Sequence, residues 1–175
     1  MDSKKFRDHL LRLDANSRRL RFGNAVSDSF IEDYASRLTL SDGIVFAFIV
    51  NGDVRSAAEL RKLAPTWGGE AEAAFSVEVD YQNNGIGTEL MSYIIRSARN
   101  RGVHRLWMSG LAENSKMRAL ARKHKAKLEF VCGDVIGEIT SSGPDFFSLS
   151  SEAFDDRLSF VLAAMDLKGG FSSAA

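Results

Sequence analysis

The chain has 175 residues, 45% of them hydrophobic, and its 23 basic and 23 acidic residues cancel. That length and apolar content suit one domain with its own core, and the charge balance supplies no field that would hold nucleic acid or an anionic membrane. The single cysteine, Cys132, can form no internal disulfide, no apolar run reaches transmembrane length, and residues 1–20 lack the apolar centre of a signal peptide, so a reducing cytoplasm is the expected compartment.

Phe6, Leu10, Leu11 and Leu13 recur at near-helical spacing among Lys4, Lys5, Arg7 and Arg12, which predicts a short amphipathic helix in an extension covering residues 1–19. Arg18 to Phe22 reads as a first edge strand. Ser27 is the expected N-cap of a helix with Phe30, Ile31, Tyr34, Ala35 and Leu38 as its apolar stripe, closed by Ser41 and Asp42. Ile44 to Val50 is a continuous apolar run, and Asn51-Gly52-Asp53 is a hairpin turn signal. Ala57 to Leu63 favours helix by propensity, but its place after Asn-Gly predicts a returning strand over Val54 to Leu63.

After a loop at Pro65 to Gly69, Glu70 to Val77 reads as a strand with Ala71, Ala73, Phe75 and Val77 on one face and Glu72, Ala74 and Ser76 on the other. Ile86, Leu90, Tyr93, Ile94 and Ala98 mark a helix from Ile86 to Arg101 that Gly102 ends. His104 to Gly110 is a strand, Asn114 to Lys125 a helix, and Leu128 to Cys132 pairs with Val135 to Ile139 around Gly133-Asp134. Cys132 is expected to be a buried structural thiol. Ser151 to Leu167 is a capped helix whose apolar stripe must pack on the domain or on a second copy, and Gly169 to Ala175 is a disordered tail. This order of elements makes a mixed α/β sheet rather than a doubly wound one.

The turn between the Glu70–Val77 strand and the Ile86 helix carries the chemistry. Gly85 and Gly87 permit positive φ and close backbone approach, and the first turn of a helix has amides with no internal partner, so the place suits a phosphate or pyrophosphate. A Walker loop needs a lysine after its last glycine, and here Gly87 is followed by Thr88 and Glu89. A dinucleotide fingerprint needs a third glycine where Leu90 stands.

Gln82-Asn83-Asn84-Gly85-Ile86-Gly87-Thr88 reads Q-x-x-G-x-G followed by a small residue, and with Asn114 one strand and helix later it resembles the acyl-CoA-binding motif of the GNAT family of N-acetyltransferases. The resemblance implies a mostly antiparallel central sheet flanked by helices over residues 20–148, with 149–175 a C-terminal helix and tail. It implies acetyl-CoA as co-substrate, its pantetheine arm paired to the backbone of Phe75, Ser76 and Val77, its pyrophosphate on the amides of Asn83, Asn84, Gly85, Ile86, Gly87 and Thr88, with Gln82 opening that motif, and its thioester arm near Asn114. The reaction implied is direct attack of a primary amine, borne by a protein lysine or a small molecule, on the thioester. Glu72 matches a strand glutamate that acts as base in some branches, with Glu78 second and Glu113 third. Two positions depart from the pattern: Ala121 stands where many members place an acid tyrosine, and Ser109 where another branch has a glutamate. Together they favour the alternative of a non-catalytic acyl-CoA-binding sensor. Position 79, often proline, is Val79.

Lys116, Arg118, Arg122, Lys123, Lys125 and Lys127 form a basic helix face that could also meet the 3′-phosphate of CoA. His104 and His124 have no partner at metal-ligand spacing, so no metal is expected. Trp107, Phe146 and Phe147 are read as core or groove wall. The acceptor pocket is expected from the variable segments Ser27 to Asp42, Pro65 to Gly69 and Thr140 to Ser150.

Overall fold

The computed structural model describes residues 3–40 and 43–140. The expected C-terminal helix, with the second copy it was to hold, therefore lies outside the described residues, as do the tail, Phe146, Phe147 and the turn at Ser41 and Asp42. The chain opens with α1 (Ser3–Arg12), which buries Phe6, His9 and Leu10. Arg18 to Phe22, expected as an edge strand, is helical instead, within α2 (Ala15–Phe22). Local chemistry at the two ends of the segment decides for the helix. The Asp14 carboxylate accepts the amides of Asn16 and Ser17, each at 3.0 Å, and Gly23 stops the helix in the left-handed region at φ 79°. Those bonds, led by the Ser17 hydroxyl, hold the Asp14 carboxyl below its usual range.

In α3 (Asp28–Leu40) the Ser27 hydroxyl accepts the Phe30 amide at 3.2 Å, as the capping sequence predicts. Ile31 and Ala35 of its stripe are buried with Phe6, Leu10, Leu13, Val54 and Ala57, while Phe30 stays exposed and the Leu38 side chain is outside the described set.

The sheet holds β1 (Ile44–Val50), β2 (Asp53–Lys62), β3 (Glu70–Val77), β4 (Arg105–Leu111), β5 (Lys127–Val131) and β6 (Asp134–Thr140), in spatial order β1-β2-β3-β4-β6-β5. Asn51 and Gly52, at φ 53° and 85°, make the tight turn that returns β2 on β1. Ala57, Ala58 and Leu60 are fully buried there, so tertiary burial overrides their helix propensity. The other face of the sheet carries α4 (Ile86–Asn100) and α5 (Ser115–Lys123), and the core on that side joins Leu90, Met91 and Ile94 to Leu60, Ala71, Leu106 and Met108. Among the described residues no helix is long and apolar enough to cross a membrane.

One correction concerns the β5–β6 hairpin. Cys132 is exposed in the turn, at φ 49° beside Gly133 at φ 92°, rather than buried in a strand. A two-residue turn with both residues at positive φ points its side chains away from the sheet.

One junction in the sheet shapes everything that follows. All neighbouring strands pair antiparallel except β3 and β4, which run parallel and stay in register only at Glu70 with Arg105, Ala71 with Leu106, and Glu72 with Trp107. β3 meanwhile pairs with β2 from Ala71 to Val77. Among the described residues no strand lies beside its other edge from Ala73 onward, and the two strands part to leave a cleft.

Candidate active site

The parting strands bound a cavity of about 660 Å³, open to solvent, into which Gln82, Asn83 and Gly85 of the turn and Ile86 to Thr88 at the start of α4 also face, while Asn84 does not line it. One wall is β3 from Glu72 to Val77 and the other includes Met108 and Ser109 of β4 with Glu113 to Met117 at the start of α5. Leu13, in the bend between α1 and α2, and Asn16, Ser17, Leu20 and Arg21 of α2 roof it. An unpaired strand edge along one side of a cleft offers backbone donors and acceptors to an extended, amide-bearing ligand.

The turn is held by its own backbone. Asn83 and Gly85 sit at φ 63° and 81°, and the amides of Thr88 and Glu89 both bond to the Gly85 carbonyl at 2.9 and 3.1 Å. The amides ahead of them in the turn are left for a ligand at the positive end of the helix dipole. Gln82 lines the cavity, and its Nε2 donates to the Val77 carbonyl at 2.8 Å, tying the turn to the end of β3. The opposite end of the Gln82 amide accepts Lys116 Nζ, and Lys123 Nζ reaches Thr88 Oγ1 at 3.4 Å. Two cations of the basic face thus converge on the anion cradle, while the rest of that face lies outside the cavity. Asn114 caps α5, its Oδ1 accepting the Met117 amide at 3.0 Å, and it lines the same cavity.

The three expected carboxylates fall in three settings. Glu72 lies at the vertex where β3 and β4 part, faces the cavity, accepts the Ser109 hydroxyl at 3.0 Å and is 4.0 Å from Arg61. The residue that departs from the family pattern at 109 is therefore the one that orients this glutamate. Glu113 lines the rim in an ion pair with Arg19 of α2. Glu78 is not in the cavity wall. Its Oε1 accepts Arg12 Nε at 2.9 Å and meets His9 Nδ1 at 3.1 Å, and its Oε2 accepts Arg55 at 3.0 Å.

Burial pushes the Glu78 carboxyl up, but the hydrogen bonds from His9 and Arg55 and the charge of Arg12 outweigh it and hold the group below its ordinary value of 4.5. A carboxyl with a lowered folded pKa stabilises the fold above its unfolded value and loses that contribution as pH falls through the folded value. The melting temperature of wild type should therefore exceed that of Glu78→Gln above pH 4.5, with the gap closing in more acidic buffers. A gap independent of pH would show that the ion pairs do not stabilise the fold.

Ala121, where the resemblance led one to look for a tyrosine, is fully buried in the core. Trp107 donates to Glu70 at 3.3 Å at the strand vertex. His104 is exposed, whereas burial and then Lys123 depress His124 below the usual imidazole range. Among the described residues no group of three or more His, Cys, Asp or Glu is placed to hold a metal ion. The sequence reading passed over His9 and Arg21, since neither belongs to a motif and both owe their neighbours to the packing of α1 and α2 on the sheet.

Residues 13–125 match the family model described as the acetyltransferase (GNAT) family. Among solved structures, the chain superposes on the GNAT domain of S. lividans PAT with a TM-score of 0.66 at 22% identity, covering 80% of this chain and 85% of that one. A ribosomal-protein-alanine N-acetyltransferase from Brucella melitensis follows at TM-score 0.61 and 18% identity, with 81% and 97% covered. The yncA protein of Salmonella typhimurium, solved with its cofactor acetyl-CoA, gives 0.57 and 18%, with 82% and 90% covered. A cAMP-binding acyltransferase from Mycobacterium smegmatis is 26% identical at TM-score 0.56, the match covering 85% of this chain and 46% of that longer one. The family model, the parted strands and the glycine turn agree, and the chain belongs to the GNAT acetyltransferase family.

Proposed function

We propose that this protein is a cytoplasmic acetyl-CoA-dependent N-acetyltransferase that transfers the acetyl group directly to a primary amine, on a protein lysine or a small molecule. The observation that carries the reading is the cleft itself: an unpaired β3 edge from Ala73 to Val77 leads straight into the Gln82–Thr88 cradle, with Lys116 and Lys123 beside it. Phe75, Ser76 and Val77 would pair with the pantetheine amides, Asn83 to Thr88 would take the pyrophosphate, and Asn114 would face the arm from the opposite wall. Backbone N–H groups along β3 would polarise the thioester carbonyl as negative charge develops on its oxygen.

An amine arriving as an ammonium has no lone pair to attack with. Glu72, at the strand vertex and oriented by Ser109, binds that cation and takes its first proton. The expelled CoA thiolate leaves into the solvent-open end of the cleft, which removes the need for a tyrosine at position 121. Thermal unfolding with and without acetyl-CoA tests the reading. Millimolar acetyl-CoA should raise the melting temperature while ATP and NAD do not, because a ligand held only by the folded state stabilises it by mass action. No shift with acetyl-CoA overturns the proposal, and binding without thiol release across lysine peptides and small amines would leave the acyl-CoA-binding sensor in its place.

A further inference from the structure

Behind the wall of the cleft, three side chains from distant parts of the sequence form a line. Ser76 on β3 faces the cavity and is 6% exposed; its Oγ lies 2.9 Å from Nε2 of His9, a fully buried residue of α1, and His9 Nδ1 lies 3.1 Å from Glu78 Oε1. The ionised Glu78 can only accept, so Nδ1 donates to it, and a ring carrying that single proton has Nε2 free to accept from the Ser76 hydroxyl. Each link is braced. Ser56 Oγ donates to the Ser76 carbonyl at 2.9 Å, fixing the strand at that residue, and Arg12 and Arg55 clamp the Glu78 carboxylate. A hydroxyl on a base that is itself oriented by a carboxylate is an arrangement that moves protons. Structural need alone does not account for it, since a buried imidazole in a helix otherwise lined by Phe6 and Leu10 carries a desolvation cost an apolar residue would avoid.

We propose that Ser76, His9 and Glu78 form a proton relay that takes the second proton from the acceptor nitrogen, Ser76 being the catalytic residue and His9 and Glu78 positioning and receiving groups behind it. The proposal rests on the transferase reading above. It also divides the work between two sites that stand about 13 Å apart along β3, at roughly 3.3 Å per residue. The ammonium loses one proton to Glu72 before attack. When the neutral nitrogen has bonded to the thioester carbon it is positively charged again, and the relay requires it to lie within reach of Ser76 Oγ, at the thioester end of the pantetheine arm. Its N–H proton passes to Ser76 Oγ as the hydroxyl proton passes to His9 Nε2. The tetrahedral centre then collapses, the C–S bond breaks and its electron pair leaves with the CoA thiolate. Two protons have left the ammonium, one on Glu72 and one on His9, and the imidazolium is stabilised by Glu78 across Nδ1.

The test is steady-state kinetics of the full chain with acetyl-CoA and its best amine, for wild type, Ser76→Ala and His9→Gln, with the acetyl-CoA dissociation constant measured beside each. Both variants should lose about 10²-fold in kcat, the low end for a lost general base, while acetyl-CoA affinity holds. The groups whose charge bears on the ring are Glu78, Arg12 on α1, and Arg55 with its partner Asp53 on β2. A relay whose base is His9 gives the wild-type kcat profile an acid limb that His9→Gln loses. Added imidazole should restore part of the rate of His9→Gly. Wild-type kcat in Ser76→Ala with the acid limb intact overturns the relay and leaves the transferase standing, whereas absence of acetyl-CoA binding by wild type removes the transferase reading first. An acetyl adduct on Ser76 in the intact mass would replace the relay with an acyl-serine route. Independently of turnover, nitrogen NMR of His9 in the resting protein should show a ring protonated at Nδ1 and bare at Nε2, and a proton on Nε2 would overturn the relay.

Discussion

Glu59→Ala is expected to cost about 3–5 kcal/mol of folding stability, as breaking a buried charge pair from one side does. Glu59 on β2 is fully buried and accepts from the Arg21 guanidinium and the Tyr34 hydroxyl, so a single carboxylate ties α2 and α3 to the sheet. Arg21 has little recourse once it is gone. Its side chain is 9% exposed, its Nε has no hydrogen-bond partner, and its guanidinium lies 4.8 Å from the Phe22 ring centroid and 5.5 Å from that of Tyr34. Burial pushes the Tyr34 hydroxyl up to about 12, so it stays a neutral donor and cannot replace the lost negative charge. Against a total stability of about 5–15 kcal/mol for a domain, the loss is a large fraction. Urea unfolding at pH 7 measures it, and pairing Glu59→Leu with Arg21→Met should recover most of it, because two apolar groups leave no buried charge behind. A cost below about 1 kcal/mol would mean that water reaches Arg21. Since α2 roofs the cavity through Leu20 and Arg21, the pair also holds the cleft in shape.

Glu72→Gln should lower kcat/KM by about 10²–10⁴-fold for an amine that arrives protonated, the usual worth of a general base. Glutamine keeps the size and can still accept the Ser109 hydroxyl, so acetyl-CoA affinity and melting temperature should change little. The deficit should shrink as pH rises toward an amine pKa of about 10.4, because solvent then supplies the neutral nucleophile. A variant as active as wild type at neutral pH would remove Glu72 from the mechanism, and a deficit that persisted at high pH would assign it to substrate binding rather than proton transfer.

These expectations differ in how far they were legible from the chain alone. Gln82 to Thr88 could be read as an anion cradle because its chemistry is local: two glycines, a preceding strand and a helix start fix the backbone within seven residues. Ser27 as a cap and Asn51-Gly52 as a turn were legible for the same reason, and both are found. Arg18 to Phe22 was misread because alternating basic and apolar residues satisfy a strand and an amphipathic helix alike, and what decides is the Asp14 cap on one side and Gly23 on the other. Cys132 is exposed because it stands in the turn after β5, whose own end residues Phe130 and Val131 are exposed as well, so an apolar strand pattern there does not imply burial.

By itself the sequence determined the family motif, the order of strands and helices between Ser27 and Thr140, and the presence of Glu72 and Asn114 on the elements that flank the cleft. Those are consequences of short-range periodicity and turn chemistry. Tertiary structure alone decided where β3 and β4 part, and so where an unpaired edge begins, because the three-pair register depends on residues more than thirty positions apart. It also decided the partners of each carboxylate: Ser109 for Glu72, Arg21 for Glu59, and His9 with two arginines for Glu78. Each of those contacts spans 20 or more residues, and side-chain hydrogen bonds at that separation leave no periodic trace in a sequence, since they arise only when packing brings two faces to within about 3 Å.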